Sequence, residues 1–159
     1  MKTPSPKQIK DLFEGILGRD VTVGEGVPVP LNTRPGPTTA VYVDDSNKLS
    51  SVAVMDFPLT AYTGAALALV PKGGAEIAIE EKDLPTSLLE NAAEMLNILA
   101  APIGDASGLH QRLKDTFGPG HAPPTDVSGW AVQLGSRIDL LLDIKGYGSG
   151  TLSVVSTQF

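Results

Sequence analysis

The chain has 159 residues, a formal charge of −6 and no cysteine. That length is enough for one domain with a real core, and the lack of cysteine excludes disulfides, thiolate nucleophiles and Cys-based metal sites. The acidic balance, without a Lys/Arg cluster, argues against a phosphate-backbone partner, so no nucleic acid is expected.

A hydrophobic content of 42% with 19% charged residues is that of a folded protein, while 17 Gly and 13 Pro promise substantial loops. The opening MKTPSPKQIK lacks an apolar signal core, and no run approaches the roughly 18 apolar residues that span a bilayer. No membrane partner and a cytoplasmic location are therefore expected.

Residues 1–4 read as a flexible tail and 5–159 as a single domain. Ser5 can cap a helix, with Pro6 in its first position and Gln8 closing a capping box. Ile9, Leu12, Phe13, Ile16 and Leu17 give that helix one apolar stripe, and Gly18 is its expected stop. Val21 to Val23 suits a short strand. From Gly24 to Pro37 the composition turns to Pro, Gly and polar residues, which predicts a loop or extended edge over 24–37.

Thr39 to Val43 and Leu49 to Met55 are β-rich runs joined by Asp44, Asp45, Ser46, Asn47 and Lys48, the pattern of a hairpin. Asp56 with Pro58 starts a second helix that ends at the breakers Pro71, Gly73 and Gly74, with Gly64 weakening it. Ala75 to Ile79 reads as a short strand or extended link.

Pro85 to Pro102, PTSLLENAAEMLNILAAP, predicts one amphipathic helix that Asp83 and Pro85 initiate. Leu88, Ala92, Met95, Leu96 and Leu99 recur at helical spacing on the face to be buried. Ser87, Glu90, Glu94, Asn97 and Ala101 fall together in one sector of about 80° opposite, left to solvent or to a partner. Glu94 and Asn97 stand one turn apart: an ionised carboxylate can hold an ammonium group, and an amide can both donate to and accept from a water. By spacing alone the same pair also suits an ordinary solvated helix face.

Asp105 or Ser107 can cap a further short helix carrying Leu109, Leu113 and Phe117 inward and His110, Arg112 and Lys114 outward. The last third changes to a period of two. Trp130–Val132–Leu134, Ile138 to Ile144 and Leu152–Val154 read as three antiparallel strands, the first two joined tightly at Gly135–Ser136. Partly segregated helices and strands predict an α+β fold, an antiparallel sheet flanked by helices.

Familiar chemical constellations are missing. Gly146, Gly148 and Gly150 lack dinucleotide or phosphate-loop spacing, and His110 and His121 lack the helical i, i+4 spacing of a metal pair. Asp44, Asp45 and Asn47 are read as turn formers, since the twelve-residue calcium-loop pattern is absent. Trp130 is read as a core residue.

Four stretches in order resemble the CheC/CheX/FliY family of bacterial chemotaxis phosphatases, particularly its CheX-like single-site branch: KQIKDLFEGILGRDVTV, DFPLTAYTGAALALV, LLENAAEMLNILAA and SRIDLLLDIKGYGSGTLSVV. The third is similar to the family's helical E-x-x-N-x-[IL]-x-[AG] stretch. The resemblance implies hydrolysis of the aspartyl phosphate on a CheY-like receiver. Glu94 then resembles the acid that engages a receiver lysine and Asn97 the amide that orients the attacking water. Ser87, Glu90 and Ala101 would complete the partner-binding face. No cofactor of its own is implied, magnesium being expected on the receiver, and a homodimer through sheet edges is expected. Ala101 where relatives commonly have Gly, Glu90 where they often carry Asp or Ser, altered proline spacing at Pro119, Pro123 and Pro124, and the 24–37 segment all depart from the pattern. They leave open a catalytically silent receiver-binding or dimerising module, and, from a different class, a small-molecule-binding domain.

Overall fold

The computed structural model describes residues 2–156; Met1 of the expected tail and residues 157–159 of the expected domain lie outside them. Helix α1, Pro6–Leu17, opens on the expected capping box. Ser5 Oγ accepts from the Gln8 amide at 3.1 Å and Gln8 Oε1 accepts from the Ser5 amide at 2.8 Å, satisfying two otherwise orphaned donors. Gly18 closes the helix at φ 67°, a left-handed conformation that glycine adopts without a Cβ penalty. Strands β1 (Val21–Glu25), β2 (Thr38–Val43) and β3 (Leu49–Met55) follow, then α2 (Phe57–Leu67), α3 (Lys72–Glu81), α4 (Thr86–Ile98) and α5 (Ala100–Ser107). Strand β4 (Arg112–Phe117), helix α6 (Thr125–Ala131) and the hairpin β5 (Arg137–Ile144) and β6 (Gly148–Ser156) complete the order.

All six strands form one antiparallel sheet in the order β1-β5-β6-β3-β2-β4. Its two faces bury different clusters. Ala40, Tyr42, Ala53, Met55, Leu140, Leu142, Ile144, Leu152 and Val154 face α1, α2, α4 and α5 in the larger core. Val41, Val43, Val52 and Val54 face the other way, under Val29 and Leu31 of the 24–37 segment and Val127, Ala131 and Trp130 of α6. Strands β2 and β3 are therefore covered on both sides, which is why they read as continuous apolar runs. The Pro-rich segment is a strap over the second face. It is tied down where the Val29 amide donates to Ser153 Oγ at 3.0 Å.

Three expectations give way. The run 75–79 is not a strand but the middle of α3, whose Ala75 and Ala78 are buried one turn apart; Pro71, Gly73 and Gly74, read as breakers, instead form its start. The helix expected over 109–117 is β4. Gly108 takes φ 70° and ends α5, so Asp105 and Ser107 close a helix where they were expected to open one. A register shift opposite Val41/Tyr42 sends Leu113 to the larger core and Phe117 to the smaller. That bulge hides the alternation in a spacing of four that imitates a helix. The first of the three expected C-terminal strands is α6: Trp130 does reach the core, donating Nε1–H to the Val155 carbonyl at 3.1 Å, but Val132 and Leu134 are exposed. Gly135–Ser136 therefore joins a helix to β5, not two strands.

Candidate functional site

Helix α4 keeps its expected faces. Leu88, Ala92, Met95 and Leu96 are buried, and Ser87, Glu90, Glu94 and Asn97 are exposed. Burying Leu88, Met95 and Leu96 contributes about 1.5–3 kcal/mol each, so the helix is anchored through the back of the stripe. Its ends differ from expectation. Pro85 occupies the cap position with no side-chain cap bond, so Asp83 does not initiate it. The helix also stops at Ile98, because Pro102 has no N–H to offer the Ile98 carbonyl four residues back. Leu99 forms a turn and α5 resumes at Ala100, so Ala101 remains exposed but on the following helix.

Three contacts outside the motif set the position of this face. A Cβ on Gly64 of α2 would stand 2.2 Å from the Leu88 carbonyl oxygen, so α2 and α4 touch backbone to backbone there. Asn91 Nδ2 donates to the Gly64 carbonyl at 3.3 Å in the same contact. Tyr42 of β2 donates its hydroxyl to the Leu96 carbonyl at 2.5 Å, beside Asn97. Burial pushes this phenol well above its ordinary pKa, so it remains a donor. Gly64 and Tyr42 were not read as site residues. A glycine inside a helix, costly in propensity, is the signal of close backbone approach that points to Gly64; nothing local marks Tyr42.

Among the described residues, neither Glu94 nor Asn97 has a side-chain hydrogen bond or ion pair. Side chains three apart on a helix have their Cβ atoms about 5–6 Å from each other, so both can engage one external group. No Lys or Arg occurs from Asp83 to Leu109, and among the described residues neither Glu90 nor Glu94 makes an ion pair. The stripe thus sets a carboxylate one turn from an amide on an anchored helix, a pair able to hold a cation and orient a water. No group of three or more His, Asp or Glu able to hold a metal occurs among the described residues, and no helix there is long and apolar enough to cross a membrane.

Other polar groups are committed elsewhere. Arg137 forks onto Asp139 at 2.8 and 3.0 Å and donates to the Ala131 and Gln133 carbonyls, while Ser153 Oγ donates to Asp139 at 2.6 Å. Burial acts to raise the Asp139 pKa, but the Arg137 and Ser153 hydrogen bonds and the guanidinium charge outweigh it and hold the carboxyl below its usual value. This cluster clamps α6 and, through Ser153 and Val29, the strap to β5 and β6. Asp44 Oδ1 accepts from the Ser46 and Lys48 amides, the expected turn role. His110, exposed ahead of β4 and not on a helix, places Nδ1 2.6 Å from the equally exposed Asp45.

No family model matches the sequence, and no curated protein does. Solved structures match across almost the whole length. The FliM middle domain from H. pylori aligns with a TM-score of 0.63 at 8% identity, over 95% of this chain and 84% of that one. Thermotoga maritima FliY gives 0.52 at 17% identity, covering 94% and 82%. A chain of the CheX–CheY–BeF3–Mg2+ complex from Borrelia burgdorferi gives 0.53 at 10% identity, covering 94% and 93%. With its six-stranded antiparallel sheet flanked by helices, the chain has the α+β fold shared by CheX, FliY and the FliM middle domain, the fold that its four sequence stretches resemble.

Proposed function

We propose that the chain is a CheX-like phosphatase acting on the aspartyl phosphate of a CheY-like receiver. The observation that carries this reading is the pairing of Glu94 and Asn97, one turn apart, exposed and unpartnered on a helix anchored by its buried face. In this reading Glu94 accepts from a lysine ammonium of the receiver, and the Asn97 amide orients a water in line with the phosphorus. The water oxygen bonds to phosphorus as the bond to the aspartyl oxygen breaks; inorganic phosphate leaves and the receiver carboxylate is restored. Magnesium, held by the receiver, neutralises the phosphoryl oxygens, so this chain needs only to position a nucleophile. Ser87, Glu90 and Ala101 border the pair and would meet the receiver surface. That a protein of this fold was crystallised with CheY, BeF3 and Mg2+ supports the choice of partner.

The test is the decay of a phosphorylated receiver with wild-type protein, Glu94→Ala and Asn97→Ala. Accelerated decay is expected, with Asn97→Ala lowering the rate about 100-fold at nearly unchanged binding and Glu94→Ala weakening binding. Full activity in Asn97→Ala would refute the assignment.

A second reading is a silent docking module. It is favoured by the FliM middle domains, which align with TM-scores of 0.63 and 0.59 against 0.53 for the CheX complex. A FliM of this fold was crystallised with FliG. Receiver binding without accelerated decay would select this reading. A cytoplasmic homodimer belongs to either reading, with the outer edges of β1 and β4 available for pairing; sedimentation of wild-type protein tests it.

A further inference from the structure

The 24–37 strap does more than cover the second face of the sheet. Between it, the start of α2 and the end of α3 lies a cavity of about 390 Å³. Its walls are Val29, Pro30 and Pro35 from the strap, Phe57 and Pro58 from α2, and Ile79 from α3. Prolines have no N–H, so the strap presents an apolar wall with few backbone donors. A volume of this size falls within the range of small-molecule sites, about 300–1,000 Å³.

Three polar side chains line the same space, Asp56, Thr33 and Lys82. They are not equivalent. The Asp56 oxygens already accept the Leu59 and Thr151 amides, both at 2.9 Å, capping α2 and joining it to β6. Thr33 and Lys82 are exposed, and among the described residues neither side chain makes a hydrogen bond or ion pair. The unused groups are therefore a hydroxyl and an ammonium, and among the described residues the ammonium is the only full positive charge on the lining. An apolar chamber with an unused hydroxyl and an ammonium that has no partner among the described residues is complementary to an apolar body with an anionic head.

We propose that this cavity binds a small monocarboxylate with an apolar body, its carboxylate held by Lys82 and Thr33 and its hydrocarbon against Phe57, Pro58, Ile79 and Val29. The site is separate from the α4 stripe and stands whether or not that stripe is catalytic. It would give the strap a role of its own.

Octanoate, octylamine and octanol, which share one body and differ in head group, are titrated into the 15N-labelled full chain. Octanoate is expected to bind with millimolar or better affinity and to shift the amides of Val29, Thr33, Phe57, Ile79 and Lys82. Lys82→Gln should weaken it about tenfold, and Thr33→Trp, which adds an indole at an exposed lining position, should abolish it. Both variants are expected to keep the wild-type spectrum elsewhere. The proposal is overturned if octanoate causes no shifts, if its shifts lie elsewhere, if octylamine or octanol binds as tightly, or if Lys82→Gln binds undiminished.

Discussion

Replacing Gly64 by alanine tests whether the α2–α4 contact positions the candidate site. The new Cβ would lie 2.2 Å from the Leu88 oxygen, 2.9 Å from its carbonyl carbon and 3.0 Å from its Cα. Comfortable non-bonded separations are about 3.5–4.0 Å, so the helices must part by about 1 Å or more. All three obstructing atoms are backbone, and none can rotate away. Overpacking of this kind costs about 1–3 kcal/mol, here at the upper end, while alanine in place of glycine returns about 1 kcal/mol of helix propensity. The net expectation is a loss of about 2 kcal/mol, or about 4–8 °C in Tm for a chain of this size. The control is Gly15→Ala in α1, an exposed position with nothing within 4 Å of the added Cβ. There the propensity term acts alone and should stabilise by about 1 kcal/mol. Urea denaturation followed by circular dichroism measures both, and receiver dephosphorylation by Gly64→Ala reads the displacement of α4. A Gly64→Ala protein at least as stable as wild type would refute the reasoning.

Tyr42→Phe leaves the buried Leu96 carbonyl without the donor it has at 2.5 Å, and should cost about 1–3 kcal/mol in urea denaturation. Arg137→Met strands the carboxylate of Asp139 beside α6, and a loss near 3 kcal/mol is expected in the same assay. The pH dependence follows from the lowered Asp139 pKa. The contribution is complete above the unfolded value, about 3.9, and disappears as pH falls through the lower folded value. The stability gap between wild type and Asp139→Asn should therefore narrow in acid; a gap independent of pH would contradict the assignment.

What could be read in the sequence was whatever local chemistry decides. The Ser5–Gln8 box, Gly18, the 44–48 turn and the two-faced pattern of α4 each depend on residues within a turn or two of one another, and each formed as expected. The exceptions depend on distant partners. Leu109, Leu113 and Phe117 spaced by four are helical by pattern, yet β2 offers an open edge, and a bulge directs two of them to opposite faces. Trp130, Val132 and Leu134 alternate, but only Trp130 meets the sheet. Ala75 and Ala78 are too small to declare a helix until α2 supplies the surface they fit. The polar stripe was legible because nothing in the fold covers it. Gly64 and Tyr42, which hold it in place, act across the molecule and leave little mark on neighbouring residues.

The strand order bears on how the chain is made. Among the described residues β1 has a single neighbour, β5, and about 110 residues lie between Glu25 and Arg137. At roughly 5–20 residues per second, a ribosome takes about 5–20 s to deliver that neighbour after β1 has emerged. β3 likewise waits for β6 on one side while it pairs with β2 on the other. From the completion of β3 until β6 emerges, the β2–β3 hairpin, with valines on one face and Ala40, Tyr42, Ala53 and Met55 on the other, has an open edge on the side where β6 will pair. β5 and β6, which come later in the chain, lie between β1 and β3 in the finished sheet, so they must insert between strands already made, and the β3 edge stays open to mispairing until β6 has emerged.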